Sequence, residues 1–214
     1  MDQLILSRSL KLIEEIYDES MYGKNDIFRI KDIVHSMDDN HWRGKQWLAD
    51  VVKNHHRLQS GYTDYGSILV MGGWYGLMAY QLRKVYPDPH MKIISVDMDP
   101  RCEELGYKIF YDQNISFVTS DVKDVALWDH TIVVNTSVEH MARDNIVDLM
   151  ANKDPNTLVA LQSNDYYDEL SHINCDESVQ EFVEWITPSL SEDSVRYFGT
   201  MQMSTFKRFL VVGK

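Results

Sequence analysis

The stretch Ile68-Leu69-Val70-Met71-Gly72-Gly73-Trp74-Tyr75-Gly76 joins an apolar run to a glycine-rich turn that opens an amphipathic segment. The apolar run has the length and composition of a buried β-strand, and the segment after the turn has helical spacing. Glycine allows a tight turn and lets a ligand approach the main-chain N–H groups closely. The N-terminus of the following helix favours an anionic group, either a phosphate or a carboxylate. The pattern predicts a site for a nucleoside-containing cofactor, although a strand–helix turn without a ligand has the same composition.

The spacing of the glycines narrows the choice of cofactor. A dinucleotide fingerprint requires GxGxxG, but Trp74 stands where the second glycine belongs, and only glycine there lets a pyrophosphate approach. A phosphate-binding P-loop would require Gly-Lys-Ser or Gly-Lys-Thr after the turn, and the sequence has neither at this place. Nicotinamide dinucleotides and nucleoside triphosphates are therefore disfavoured.

Beyond the turn, short apolar runs alternate with amphipathic segments. Strands are predicted at 67–71, 92–96, 115–119, 131–135 and 157–162, and helices at 76–85, 100–111, 143–151 and 178–186. Such alternation predicts a parallel sheet with helices on both faces. Two further strand-like runs, 195–203 and 205–212, are too close for a parallel crossover and predict an antiparallel hairpin. The fold class is α/β, with a Rossmann-like, doubly wound and mostly parallel sheet.

The first 60 residues have a different pattern, with apolar residues at helical spacing, as in Leu12, Ile13 and Ile16. We expect N-terminal helices here, with Asn40 as the cap of the third helix. The predicted organisation is a helical segment at 1–60, packing on or capping the core, followed by a Rossmann-like domain at 61–214.

Composition bounds the class of partner. The 214 residues include 33 acidic and 21 basic residues, for a formal charge of −12, and no cluster of basic residues marks a polyanion-binding surface. Nucleic acid is therefore not favoured as a partner, whereas a small-molecule acceptor is favoured. The sequence has no run long and apolar enough for a membrane span. Two cysteines without a CxxC pair favour a cytoplasmic location.

Carboxylates stand where the second and third predicted strands end. Asp97 lies 21 residues after Gly76 and can accept hydrogen bonds from both hydroxyls of a ribose. Asp99, followed by Pro100, is better explained as a helix cap. Asp121 can accept a hydrogen bond from an exocyclic amine of adenine, with Val122 beside it as an apolar contact. Each carboxylate alone is also compatible with an ordinary solvated strand end.

These motifs, in this order, resemble those of class I S-adenosylmethionine-dependent methyltransferases. The likeness spans roughly residues 66–214 and implies a seven-stranded sheet with the cofactor across the carboxyl ends of the strands. It implies that Gly72, Gly73 and Gly76 line the methionine part of S-adenosylmethionine, and Trp74, in the same turn, is a further candidate cofactor-binding residue. By the same likeness, Asp97 and Met98 border the ribose, and Asp121 and Val122 border the adenine.

The chain departs from that family at two positions. The family usually has an acidic residue late in the first strand, where this chain has Val70 or Met71, and a central glycine where this chain has Trp74. These departures favour an alternative, a non-catalytic Rossmann-like binding or assembly module. A nicotinamide oxidoreductase and an S-adenosylmethionine-cleaving enzyme are further alternatives for the same crevice.

The exit of the fourth strand is the predicted reaction centre. Asn135, Glu139 and His140 follow this strand, and in an open α/β sheet this loop faces the crevice beside the cofactor. His140 is the candidate general base, and Glu139 can orient it or neutralise its charge. An ordinary surface position for His140 explains the pattern equally well. The spacing of the other histidines, including His41 and His172, predicts no metal site.

Overall fold

Three helices precede the sheet. The structure, a computed structural model, describes residues 2–21, 27–58, 65–190 and 194–214, so the expected domain boundary between residues 60 and 61 lies outside the described residues. Helix α1 spans Gln3–Met21, α2 spans Ile27–Ser36 and α3 spans Asp39–Arg57. Side chains of all three helices, among them Ile5, Ile33 and Leu48, enter the same apolar core as the sheet.

Seven strands form one sheet in the order β3-β2-β1-β4-β5-β7-β6. The strands are β1 Gly66–Met71, β2 Met91–Asp97, β3 Ser116–Thr119, β4 Ile132–Asn135, β5 Leu158–Asn164, β6 Tyr197–Gln202 and β7 Lys207–Gly213. The first five run parallel, whereas β7 pairs antiparallel with both β5 and β6. The predicted fold class is confirmed, including the antiparallel hairpin.

Helices cover both faces of this sheet. They are α4 Leu77–Val85, α5 Pro100–Phe110, α6 Arg143–Ala151 and α7 Val179–Leu190, with 3₁₀ turns at Val122–Asp124 and Val138–His140. Alternate residues of a strand point to opposite faces. Ile68 of β1 therefore packs in the core that holds α3, α4 and α5, and Leu69 packs in the core that holds α6 and α7.

Two predicted helix caps have different outcomes. Asp99 caps α5 as expected, because its Oδ1 accepts the N–H of Arg101 at 2.9 Å with Pro100 at the first helical position. Asn40 is the wrong residue for the cap of α3. Asp38 fills that role, since its Oδ1 accepts the N–H of His41 at 2.8 Å. The helix thus begins earlier than the sequence predicted.

The strand order places the candidate site. From β1 the chain continues to β2 and β3 on one side of β1, and it then returns to form β4 on the other side. The order of the strands therefore reverses between β1 and β4, and this is the topological switch point of the sheet. Ligands of open α/β sheets bind outside the carboxyl ends of the strands at such a point. The glycine turn after β1 and the exits of β2 and β4 meet there. Among the described helices, none is long and apolar enough to span a membrane.

Candidate functional site

The glycine turn is held tightly against the neighbouring strand exits. Gly73 donates its N–H to Val96 O at 2.9 Å, and Gly76 donates to Gly73 O at 3.0 Å. A Cβ added to Gly73 would overlap the hydroxyl of Ser95, and one added to Gly76 would overlap the ring of Phe117. The close packing of the turn thus requires glycine before any ligand is considered.

Gly76 also carries a backbone constraint that Gly73 lacks. Its backbone φ is 95°, a value that residues with a Cβ rarely adopt. We expect Gly76→Ala to lower the free energy of unfolding by about 1–3 kcal/mol from backbone strain alone. Gly73→Ala is the matched comparison, because its only severe overlap is with a hydroxyl that can rotate. Urea unfolding of both variants checks the order; an equal or larger loss in Gly73→Ala would contradict it.

Asp97 lies at the end of β2 and faces the glycine turn. Its Oδ2 accepts the N–H of Trp74 at 2.9 Å, and its Oδ1 accepts the N–H of Asp99 at 3.1 Å. These two bonds fix the carboxylate in position while each oxygen keeps capacity for a further donor. The side chain is half-buried, so the carboxylate remains partly accessible to solvent. A fixed carboxylate of this kind can bind the paired hydroxyls of a ribose.

The other residues predicted to hold the cofactor lie at the same edge of the sheet. Met98 follows Asp97 and is 75% exposed, so its thioether side chain is available to cover a flat ring. Asp121 is exposed after β3, and its Oδ1 accepts the N–H of Lys123 at 3.0 Å. Val122 is half-buried and packs on the α6–α7 core. The chain thus presents carboxylates and apolar groups along the ends of adjacent β2 and β3.

The ring of Trp74 packs against the N-terminal helices. It stacks on Tyr75 with ring centroids 5.5 Å apart, and it meets the rings of His35 and His41 edge-on at 6.1 and 5.6 Å. Its φ of 48° lies in the left-handed region where glycine is favoured. Trp74 therefore connects the turn to the α2–α3 junction, and a tryptophan stands there at a backbone conformation that suits glycine better.

Asn135 shapes the exit of β4 from a fully buried position. Its Oδ1 accepts the N–H of Ser137 at 2.7 Å, and its Nδ2 lies 3.2 Å from the sulfur of Met141. Ser137 in turn donates its hydroxyl to Gly72 O at 2.9 Å. Ser137 thus ties the β4 exit to the glycine turn, and Asn135 holds the backbone of Ser137 in place.

Glu139 and His140 have different hydrogen-bond partners, although a potential ligand atom of one lies within 4.8 Å of one on the other. Glu139 is 4% exposed, and its Oε1 accepts the side-chain amide of Asn164 at 2.8 Å. His140 is exposed, and its Nδ1 lies 3.1 Å from Ser171 O. A carbonyl only accepts hydrogen bonds, so this contact places the proton on Nδ1 and leaves Nε2 free to accept one. The carboxylate and the imidazole therefore have separate partners.

A group of charged and polar side chains is buried between α3 and the strands β5 and β7. We call this group the buried polar cluster; it comprises Lys45, Glu139, Gln162 and Arg208. Arg208 Nη1 lies 3.9 Å from Glu139 Oε1, and Gln162 Nε2 donates to Gly44 O at 2.9 Å. Arg208 Nε, Glu139 Oε2 and Gln162 Oε1 have no hydrogen-bond partner among the described residues. Unpaired buried polar atoms are costly, so this cluster is a place where a polar ligand group would be stabilised.

The buried polar cluster is not predicted from the sequence, although a weak signal for it is present there. Lys45 lies on the apolar face of α3, between Trp42 and Ala49 at helical spacing, and it is 6% exposed. Arg208 sits in an otherwise apolar strand and is 4% exposed. A charged residue within an apolar pattern marks a buried functional or structural charge. The members of the buried polar cluster come from distant parts of the chain, so only the folded structure shows that they lie together.

Burial strongly affects the titration of Lys45. Loss of hydration and the charge of Arg208 lower its pKa to about 7, although Glu139 and Asp38 act in the opposite direction. Between pH 7 and the ordinary lysine value the unfolded chain binds more protons, so this group makes stability rise with pH across that window. Below about pH 7 the full cost of burying the ammonium is present.

We therefore expect Lys45→Met to stabilise the protein near neutral pH and to lose this advantage as the pH rises. The physical reason is that methionine fills a similar volume without a buried charge. Urea unfolding of both proteins at about pH 6.5 and about pH 9.5 measures the difference in the window set by the shifted group. A difference that is independent of pH would show that Lys45 has an ordinary pKa in the folded state.

Two groups of side chains can hold a metal ion. One comprises His35, Asp38 and His41, and the other comprises Glu139, His140 and His172; within each, the potential ligand atoms lie within 4.8 Å of one another. In the second group, His172 lies 32 positions after His140 in the sequence and reaches the β4 exit through the loop after β5. Sequence spacing, on which the expectation of no metal site rested, does not reveal such proximity.

Comparisons with solved structures agree with the geometry. The plantazolicin methyltransferase BpumL in complex with SAH aligns over 98% of this chain and 99% of its own, with a TM-score of 0.63 and 12% identity. The CurJ carbon methyltransferase aligns over 97% of this chain and 67% of its own, with a TM-score of 0.65 and 9% identity. Human N-acetylserotonin methyltransferase in complex with SAM aligns over 86% of this chain, with a TM-score of 0.56 and 14% identity. This chain spans about half of that protein, 53% of its length.

At these identities the likeness concerns the fold. The chain has the seven-stranded fold of class I S-adenosylmethionine-dependent methyltransferases, as the resemblance of its motifs implied. No family model matches the sequence, and no curated protein does.

Proposed function

We propose that this protein is an S-adenosylmethionine-dependent methyltransferase acting on a small-molecule acceptor. The observation that carries the proposal is the position of Asp97, whose carboxylate is fixed by two backbone N–H groups beside the glycine turn. Asp97 ends β2, the neighbour of β1, so its carboxylate lies at the carboxyl edge of the sheet, one strand away from the topological switch point between β1 and β4. The net charge of −12 disfavours a polyanionic acceptor such as nucleic acid.

The residues at the strand ends suit the parts of this cofactor. Asp97 and Met98 would border the ribose, and Asp121 and Val122 the adenine. The methionine part would lie along Gly72, Gly73, Trp74 and Gly76. When bound, the cofactor would supply an electrophilic methyl group on a positively charged sulfur, which keeps the electron pair of the broken S–C bond and leaves as S-adenosylhomocysteine when the acceptor's nucleophile takes the methyl group.

The chain's own contribution would be orientation and the removal of water around the acceptor. Where the acceptor must lose a proton, His140 is the proposed base, because its Nε2 is left free by the contact of Nδ1 with Ser171 O. Glu139 would act through its buried charge, and Asn135 would hold the β4 exit against the glycine turn. The two cysteines, Cys102 and Cys175, are free thiols, and we propose a cytoplasmic location.

Calorimetry with S-adenosylmethionine and S-adenosylhomocysteine tests the proposal. We expect both to bind with one site per chain, and a nicotinamide dinucleotide to give no heat of binding. Mass spectrometry of small molecules that co-purify with the protein would then identify the acceptor class. Absence of binding at millimolar concentration of either ligand would contradict the proposal.

A non-catalytic binding module is the second candidate, and one observation favours it. Trp74 occupies the position of the central glycine, and its ring packs on His35 and His41 at the α2–α3 junction. A domain of this kind would bind the cofactor without turnover, so single-turnover transfer of a labelled methyl group separates the two candidates.

A further inference from the structure

We propose that His35, Asp38 and His41 form a binding site for a divalent first-row transition metal ion such as zinc. The site lies at the junction of α2 and α3, outside the strand ends to which the cofactor is assigned. It goes beyond the proposed methyl transfer, and it does not depend on it.

The helix junction brings the three side chains together. His35 stands in the last turn of α2, Asp38 caps α3, and His41 stands in the first turn of α3, so the pattern is His-x₂-Asp-x₂-His. Because this short chain segment is fixed by two helix ends, all three groups point to one place. Asp38 Oδ2 lies 3.0 Å from His35 Nδ1, and Asp38 Oδ1 lies 2.9 Å from His41 Nδ1.

These separations suit a shared metal ion. Nitrogen and oxygen ligands bound at about 2.0–2.2 Å with angles between 90° and tetrahedral are about 2.8–3.6 Å apart, a range that includes both distances to Asp38, and all the potential ligand atoms lie within 4.8 Å of one another. The two imidazole rings stand nearly perpendicular, with an interplanar angle of 80° and centroids 4.7 Å apart. Binding would replace the two hydrogen bonds between imidazole and carboxylate by metal–ligand bonds, with little movement of the backbone.

The donor set selects the class of metal. Two imidazole nitrogens and one carboxylate oxygen suit zinc, cobalt, nickel or ferrous iron, whereas magnesium and calcium prefer oxygen ligands. The site is open to solvent on one side, because the side chain of His35 is 59% exposed and that of Asp38 is 32% exposed. Three protein ligands leave at least one coordination position for water or another ligand.

Two neighbours of the site provide independent readouts. The ring of Trp74 lies 5.6 Å from that of His41 and 6.1 Å from that of His35, so its fluorescence should respond to a bound ion. The positive charges of Lys45 and Arg208 act electrostatically on His41 and oppose a cation there, whereas the charge of Asp38 favours one. Removing the charge of Lys45 should therefore strengthen metal binding.

The experiment uses the full chain freed of metal by a chelator and titrated with zinc chloride in a calorimeter. We expect one zinc ion to bind per chain at this site. The affinity for zinc should fall by about 100-fold or more in His35→Gln, because removing even a residue that only hydrogen-bonds to a metal ligand weakens metal binding by about 10–100-fold. His35 is largely exposed, so this substitution should leave the fold intact, which its urea unfolding checks. His90→Gln is the matched control, because His90 is also exposed and lies outside the site.

His140→Gln separates this site from the second histidine group. Zinc binding that persists in His140→Gln and is lost in His35→Gln supports the proposal. Binding lost in His140→Gln and retained in His35→Gln, or no zinc binding by the unmodified protein, would overturn it.

A spectroscopic titration with cobalt chloride adds a structural readout. Cobalt bound at the site should quench part of the tryptophan fluorescence, and this part should be missing in Trp74→Phe while the visible absorption of bound cobalt remains. Lys45→Met should bind zinc more tightly than the unmodified protein. Equal quenching in the Trp74→Phe variant would place the ion elsewhere and overturn the assignment. Calorimetry with S-adenosylmethionine is made on metal-free protein, so its outcome is independent of these results.

Discussion

Asp97→Asn is expected to weaken S-adenosylmethionine binding by about 100-fold, because it removes the charge from hydrogen bonds to two ribose hydroxyls, each worth about 1.5–3 kcal/mol when the acceptor is ionised. The substitution keeps the shape of the side chain. One oxygen remains to accept an N–H from the turn, so the main change is in charge and in the number of acceptors.

The measurement is calorimetry with S-adenosylmethionine and S-adenosylhomocysteine on the variant and on Asp124→Asn. Asp124 is exposed in the 3₁₀ turn after β3, so its substitution changes the net charge equally without touching the turn after β1. Urea unfolding of both variants shows whether the loss of the Trp74 N–H contact has changed the fold. Unchanged affinity in a stably folded Asp97→Asn protein would place the ribose away from β2.

Glu139→Gln is expected to lower the free energy of unfolding by about 3–5 kcal/mol near neutral pH, the usual cost of removing one partner from a buried charge pair. Glutamine keeps an oxygen to accept the amide of Asn164, so packing and this hydrogen bond are retained. The substitution removes the negative charge, so the buried cations Lys45 and Arg208 lose the carboxylate that balances them.

Two comparisons make this second prediction specific. Adding Lys45→Met to Glu139→Gln should recover part of the lost stability, since one of the two unbalanced cations is then gone. Glu104→Gln is the control for an exposed carboxylate; its contacts with Lys108 and Arg101 are worth about 0.2–1 kcal/mol. A loss in Glu139→Gln no larger than in Glu104→Gln would show that the cluster is hydrated.

The sheet could be predicted because its signals are local. The apolar run before the glycine turn, the Asp99-Pro100 helix start and the two closely spaced final strands each depend on a few neighbouring residues. The cap of α3 was misassigned to Asn40 because both Asp38 and Asn40 have suitable side chains, and the choice depends on where α2 ends. Local chemistry does not determine that position.

The polar contacts of the site were less predictable for a different reason. The expected cooperation of Glu139 with His140 stays a prediction, and sequence alone did not reveal that the carboxylate accepts the amide of Asn164 while the imidazole contacts Ser171 O. Lys45 and Arg208 meet Glu139 from α3 and β7, and no sequence period relates these positions. What the sequence could predict is the common location of the residues that end strands, since parallel strands end at a common edge; their role in binding a cofactor stays a prediction.

The antiparallel insertion of β7 has a consequence for how the protein forms during synthesis. Residues 207–213 fill the slot between β5 and β6, so β6 is made before the strand that joins it to the sheet. Until those residues leave the ribosome, β5 has an unpaired edge, and its residues, the first four of them apolar, are ones that the complete fold buries; such an edge is a template for pairing with other chains. Completion of the sheet must therefore wait for its last strand, and aggregation of nascent chains is expected to depend on how long that edge remains open.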